Sequence, residues 1–284
     1  AGEVLQNSLH MARTFLKRKA MAGEMSGQVV LITGASRSLG LQLAREMAMR
    51  NAKLLLLDLP SESWSGIAEE LKALGAGDVY TGSADVTKPD ELNQAVMDGE
   101  KVTGPVTVLI ANAGIGLDTT VSPFHLESIH RQASINYLGV ANSIAAVLPG
   151  MIERKAGHLV AVVSLSSYRG LPGMAGYCSS KAAACVMMDS LRLDLKPFGI
   201  ACTTLNPGWI DTGVVHTITA SKPGVTKLPE AARRLAAGIV RRKPYICFPL
   251  WLRTLFILNR LQPTTWGDWI TMQFWRWFTP KKGS

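Results

Sequence analysis

Three side chains on one stretch of the 284-residue chain are suited to moving protons: Ser164, Tyr177 and Lys181. In Tyr177-Cys178-Ser179-Ser180-Lys181 the phenol and the ammonium stand four residues apart, on one face of an expected helix. A Tyr–Lys pair by itself says little, because most such pairs decorate a solvated helix face. Ser164 adds weight. It closes an apolar run of strand length, thirteen residues before Tyr177, so a strand-end hydroxyl and a loop precede the helix that carries the phenol. Hydroxyl, phenol and ammonium meeting beyond a strand end would make a proton-handling set.

A second chemical signal lies near the start. The run QVVLIT ends in Thr33-Gly34-Ala35-Ser36-Arg37-Ser38-Leu39-Gly40 and a helical pattern follows at once. A Gly-rich turn between strand and helix presents backbone N–H groups and the positive end of a helix dipole to a pyrophosphate. Ser38 holds the position where the dinucleotide fingerprint expects its central glycine. Asp58, at the end of the next apolar run, is placed to accept hydrogen bonds from ribose hydroxyls. It would repel a 2′-phosphate, which favours NAD over NADP; Arg37 argues more weakly for NADP, and the bland alternative is a carboxylate capping the turn at Pro60 and Ser61. Asp85-Val86 and Asn112-Ala113-Gly114 follow the third and fourth runs, at strand ends where open α/β sheets bind ligands.

These groups need a scaffold, and the patterning supplies one. Apolar runs of strand length recur at 28–33, 53–58, 106–111, 158–164, 200–206 and 245–248, with a shorter one at 78–82. Helical periodicity fills 39–50, 62–75, 88–100, 123–153, 175–196 and 229–242. Near-continuous apolar strands alternating with helices predict a doubly wound parallel sheet covered on both faces, Rossmann-like α/β. The divisions expected are an extension at 1–27, a dinucleotide-binding catalytic domain at 28–250 and a tail at 251–284. Residues 1–27 lack the apolar core of a secretory signal, and an amphipathic helix is expected near Leu9 to Met21.

In this order and spacing the residues resemble the short-chain dehydrogenase/reductase family over roughly 28–250. The resemblance rests on the turn at 33–40, Asp58, Asp85, the Asn-Ala-Gly motif at 112–114, Asn136, Ser164, the Tyr-x-x-x-Lys pair and Pro207-Gly208 before Thr212. It implies about seven parallel strands in the order 3-2-1-4-5-6-7. It implies an NAD(P)-dependent interconversion of an alcohol with a ketone or aldehyde, and a homo-oligomer, dimer or tetramer. Tyr177 would be the general acid/base, Ser164 would hold the substrate oxygen, Lys181 would bind the nicotinamide ribose and lower the Tyr177 pKa, and Asn136 would hold a relay water through its backbone. Cofactor contacts would come from the residues of the turn, Asp58, Asp85, Val86, residues 112–114, and Pro207, Gly208, Ile210 and Thr212. Bringing a phenol from about 10 to neutrality takes about 4 kcal/mol, so Tyr177 and Lys181 must line a partly dehydrated cleft.

Composition limits the alternatives. With 47% apolar and 18% charged residues, pervasive disorder is excluded. Cys178, Cys185, Cys202 and Cys247 form no CxxC, so free thiols in a reducing, cytoplasmic setting are expected. His125, His130 and His158 have no metal-ligand spacing, and no metal is expected; 212–228, with His216, reads as a lid or an ordinary loop. The net charge of +9 divides into +10 over 222–284, +2 over 1–28 and −3 between them, which argues against nucleic acid. The tail holds five of seven tryptophans, and Arg253, Arg260, Asp268 and Arg276 interrupt its apolar runs short of the ~18 residues of a spanning helix. Such a tail suits the headgroup region of an anionic membrane; the alternatives are burial on the body, over a substrate pocket or in an interface. An apolar substrate is expected. The competing functions are a nucleotide-binding scaffold or sensor with little turnover, and a membrane-tethered interaction protein.

Overall fold

The computed structural model describes residues 23–60, 63–211 and 224–278. One parallel sheet forms from β1 (Val29–Thr33), β2 (Lys53–Asp58), β3 (Val79–Ser83), β4 (Val108–Ala111), β5 (Gly157–Val162) and β6 (Ile200–Pro207). A two-residue ladder, β7 (Ile210–Asp211) with β8 (Thr226–Lys227), stands apart, and β9 (Tyr245–Phe248) completes the sheet. The order is β3-β2-β1-β4-β5-β6-β9, so the expected seven-stranded arrangement is present, with β9 in the seventh place.

The strands are apolar on both faces because both faces are covered. Val30, Ile32, Leu54, Leu56 and Ile110 point into one core. There they meet α1 (Ser38–Ala48), α2 (Ile67–Ala73) and α7 (Leu228–Val240). The alternate residues, among them Val29, Leu31, Leu55 and Leu109, point to the other face. That face packs on α3 (Pro89–Thr103), α5 (Gly139–Glu153) and α6 (Ala175–Asp194).

Two expected helices differ in detail. The pattern at 62–75 becomes α2 only from Ile67, because Gly66 takes φ +72°. The long pattern at 123–153 is α4 (Leu126–Ala133), a π-helical turn over Ser134–Leu138, then α5. That run, Leu126–Glu153, is long and apolar enough to cross a bilayer, but Val140, Ile144, Val147 and Met151 are buried against the sheet. It is a body helix. After β9 the tail forms two helices, α8 (Leu250–Arg260) and α9 (Thr264–Phe278). The expected helix near Leu9 to Met21, His216 and most of 212–228 lie outside the described residues.

Candidate active site

The carboxyl ends of the central strands carry the candidate residues, and the β1–α1 turn is the first part built there. Gly34 takes φ +65°, and a Cβ on it would lie 2.9 Å from the Ala113 Cα. A Cβ on Gly40 would sit 1.9 Å from the Gly34 carbonyl oxygen, so turn and helix meet where only glycine fits. Asn112 locks this turn: its Nδ2 donates to the carbonyls of Thr33 (3.0 Å) and Gly34 (2.9 Å). The Thr33 hydroxyl accepts from the N–H groups of Asn112 and Ala113. Ser38 also takes positive φ, +50°, a conformation that costs a residue with a side chain roughly 1–2 kcal/mol.

Asp58 faces this turn from the end of β2. Its Oδ2 accepts from the N–H (2.9 Å) and hydroxyl (2.7 Å) of Ser36, and its Oδ1 accepts from Leu59 N–H. The carboxylate is therefore fixed against the turn, with acceptor capacity to spare. Arg37 is exposed, and α1 starts with no side-chain cap and no acid in its first turn, an arrangement that suits an anion. Asp85 accepts from the N–H and hydroxyl of Thr87, and Val86 is buried beside Gly139. Pro207 ends β6, Gly208 N–H donates to Phe248 O (2.7 Å), and Ile210 pairs with Thr226. Thr212 lies outside the described residues.

The proton-handling groups converge from β5, the π turn and α6. Ser164 is extended and caps the short turn Leu165–Ser167, its Oγ accepting from Ser166 N–H at 3.2 Å. Of the two serines, it is Ser164 whose side chain acts on the Tyr177 phenol, favouring its ionised form. Lys181 is only 4% exposed; its Nζ donates to Val162 O at 2.8 Å and lies 6.0 Å from the Tyr177 ring centre. Asn136, fully buried in the π turn, accepts from Ile115 N–H (2.8 Å) and donates to Ile115 O (2.9 Å) and Ser180 Oγ (3.1 Å). Gly114 lies between these groups: a Cβ there would be 3.1 Å from Asn136 Oδ1 and 3.2 Å from Lys181 Nζ.

Burial governs the electrostatics. It raises the Tyr177 pKa above the ordinary tyrosine value, and the Ser164 side chain pulls it partly back. The same burial drives Lys181 down to about 8. In one desolvated cleft each group resists its own charged form. Within this chain alone the net shift of the phenol is upward, and burial is its cause. The backbone partners Ile115 and Val162, the side chains Ser180 and Thr33, and the π turn had no signature in the spacing, because main-chain carbonyls look alike in every sequence.

Residues 28–223 match the short chain dehydrogenase family. The chain is 34% identical over 245 residues to an uncharacterized oxidoreductase of Myxococcus xanthus, spanning 86% of this chain and 96% of that one. It is 30% identical over 250 residues to human 17-beta-hydroxysteroid dehydrogenase 13, spanning 87% and 82%. Among solved structures, an alcohol dehydrogenase of Thermococcus sibiricus complexed with 5-hydroxy-NADP superposes with a TM-score of 0.69 at 26% identity, over 78% of this chain and 95% of that one. A 3-oxoacyl-[acyl-carrier protein] reductase of Brucella melitensis with bound NAD gives 0.70 at 25%, over 80% and 92%. This chain belongs to the short-chain dehydrogenase/reductase family. It is an NAD(P)-dependent oxidoreductase.

Proposed function

We propose that this enzyme interconverts an apolar alcohol and its ketone or aldehyde, with Tyr177 as general acid/base and NAD as the preferred dinucleotide. The carrying observation is the buried Lys181, its Nζ 6.0 Å from the Tyr177 ring centre, with Ser164 acting on the same phenol. A bound nicotinamide dinucleotide supplies the hydride acceptor in oxidation and the donor in reduction. Residues 34–40 would hold its pyrophosphate and Asp58 its adenosine ribose, with Asp85, Val86, residues 112–114, Pro207, Gly208, Ile210 and Thr212 along the rest of the cleft. Ser164 would hold the substrate oxygen. Tyr177 Oη would give that oxygen a proton in reduction and take it back in oxidation. Lys181 would bind the second ribose, and Asn136 would keep the loop at Ile115 in place beside it.

The apolar substrate is supported by what packs beside the hydroxyls: Leu165, Leu171 and Cys178 form one cluster with Leu252 and Phe256, flanked by Met174, Trp209 and Phe274. Relatives named for hydroxysteroids and retinol agree with that chemistry. Tyr177→Phe should cut carbonyl reduction about 10²–10⁴-fold while leaving dinucleotide binding unchanged. Equal rates in the two proteins would sink the assignment and favour a nucleotide-binding scaffold. Asp58→Ala should raise the ratio of kcat/KM for NADP over NAD by about tenfold, the removal of one like-charge contact; an unchanged ratio would remove the case for NAD.

A further inference from the structure

The tail is apolar on both its inner and its outer side. Leu252 and Phe256 of α8 are buried on the body, and Phe256 meets Phe274 of α9 edge-on at 5.7 Å. Beside that aromatic pair, the α8–α9 contact around Gly267 is small and polar. A Cβ on Gly267 would lie 2.9 Å from Asn259 Oδ1, Asn259 Nδ2 donates to Thr271 Oγ1 at 2.7 Å, and Thr271 in turn donates to Gly267 O. Other large apolar groups point outward: Leu261 is 75% exposed, Trp266 67% and Trp269 65%. Tryptophans exposed on an outer face suit the lipid–water boundary.

A second apolar ridge belongs to another loop tied to the site. In the loop after β4, Val121 is 83% exposed and Phe124 59%. The stretch Tyr168 to Gly176, which ends beside Tyr177, ties both ridges to the site. Tyr168 O accepts from Arg260, and Arg169 donates to Asp268 Oδ1 (2.6 Å) and Thr271 Oγ1 (3.1 Å). At its other end Gly173 O accepts from Thr119 N–H (2.7 Å) and Gly176 N–H donates to Thr119 Oγ1. Both ridges are therefore joined by the segment that leads into Tyr177.

We propose that the outward face of α8 and α9, with the Val121–Phe124 ridge, docks on an anionic lipid surface and turns the cleft mouth toward it. Entry of an apolar substrate from the lipid would follow, and that part rests on the oxidoreductase reading. The charge selects this occupant. Residues 251–284 carry a net +4, and their one acid, Asp268, is already paired with Arg169. A two-fold copy seated on the same face would bring Arg260 and Arg276 toward like charge, whereas anionic headgroups complement them and tryptophan favours the lipid–water boundary.

Flotation of the full chain with phosphatidylcholine vesicles, with and without phosphatidylserine, tests this. Binding is expected to require phosphatidylserine and to weaken in high salt. The exposed triple variant Leu261→Gln/Trp266→Gln/Trp269→Gln should lose at least roughly tenfold in bound fraction, since three apolar contacts disappear. Its turnover of a water-soluble carbonyl should be unchanged, and Val121→Gln/Phe124→Gln should give a smaller loss of binding. Wild-type chain that ignores both vesicle types, or a triple variant that binds like wild type, would overturn the proposal. Concentration-dependent self-association that the triple variant abolishes, without vesicle binding, would overturn it in favour of a second copy. Vesicle binding by a chain that turns over no alcohol or carbonyl would sink the oxidoreductase reading and leave the docking intact.

Discussion

Helices α7 and α9 follow a similar period with opposite results. In α7, Ala231, Ala232, Leu235, Ala236 and Ile239 are buried on the sheet while Arg233 and Arg234 face water. In α9, Gly267 and Thr271 are buried while Trp266, Trp269 and Met272 are exposed. The body helix puts its apolar stripe where folding needs it. The tail helix spends only part of its aromatic surface on the body and keeps the rest outside, as a surface made for contact does. The difference also divides the basic charge: Arg241, Arg242 and Lys243 sit in the turn that leads into β9, away from the tail helices.

The largest test of this contrast is Phe256→Ala, on the tail's inner side, which should cost about 3–5 kcal/mol in denaturant unfolding. Trp269→Gln, on the outer side, should change stability by less than about 0.5 kcal/mol. Equal costs at the two positions would erase the distinction between the tail's two faces.

An effect of about 3 kcal/mol is expected inside the body at His158. This residue is buried, with Nε2 2.7 Å from Thr203 Oγ1, and burial, aided by Arg242, pushes its pKa down to about 4. The unfolded chain takes up the same proton near about 6.5, so it binds more protons between those values. Stability should then fall as pH drops from about 6.5 to about 4. His158→Gln should flatten that part of the pH–stability curve; an unaltered slope would show that other groups carry it. The smallest effect is at the turn. Ser38→Gly relieves the positive φ and should stabilise the fold by up to about 1 kcal/mol while tightening dinucleotide binding, both readable by titration and melting. No change in either would mean that the strain is absorbed elsewhere.

Much of the body is legible in the sequence because local rules and the tertiary fold agree there. Strands such as VVLIT and KLLLLD are apolar at every interior position, which only a doubly covered parallel sheet tolerates. Ser38 is readable as standing in a glycine's place, and it does take positive φ. Asp58 was readable as a strand-end carboxylate, but not its two bonds from Ser36, which reach across 22 residues of chain. The π turn was not readable either: its residues, SINYL, continue a helical pattern, and only the packing of Asn136 against Ile115 and Ser180 marks the extra residue in the turn.

By itself the sequence determined the order of strands and helices, the family, and which residues stand at the carboxyl edge of the sheet. Those follow from hydrophobic period and motif spacing, which are local properties. Tertiary structure decided that Ser164 acts on Tyr177, that burial raises that phenol while it brings Lys181 to about 8, and that Trp266 and Trp269 of the tail face outward. Desolvation and exposure are set by which surfaces meet, and neither is written in the spacing of residues along the chain.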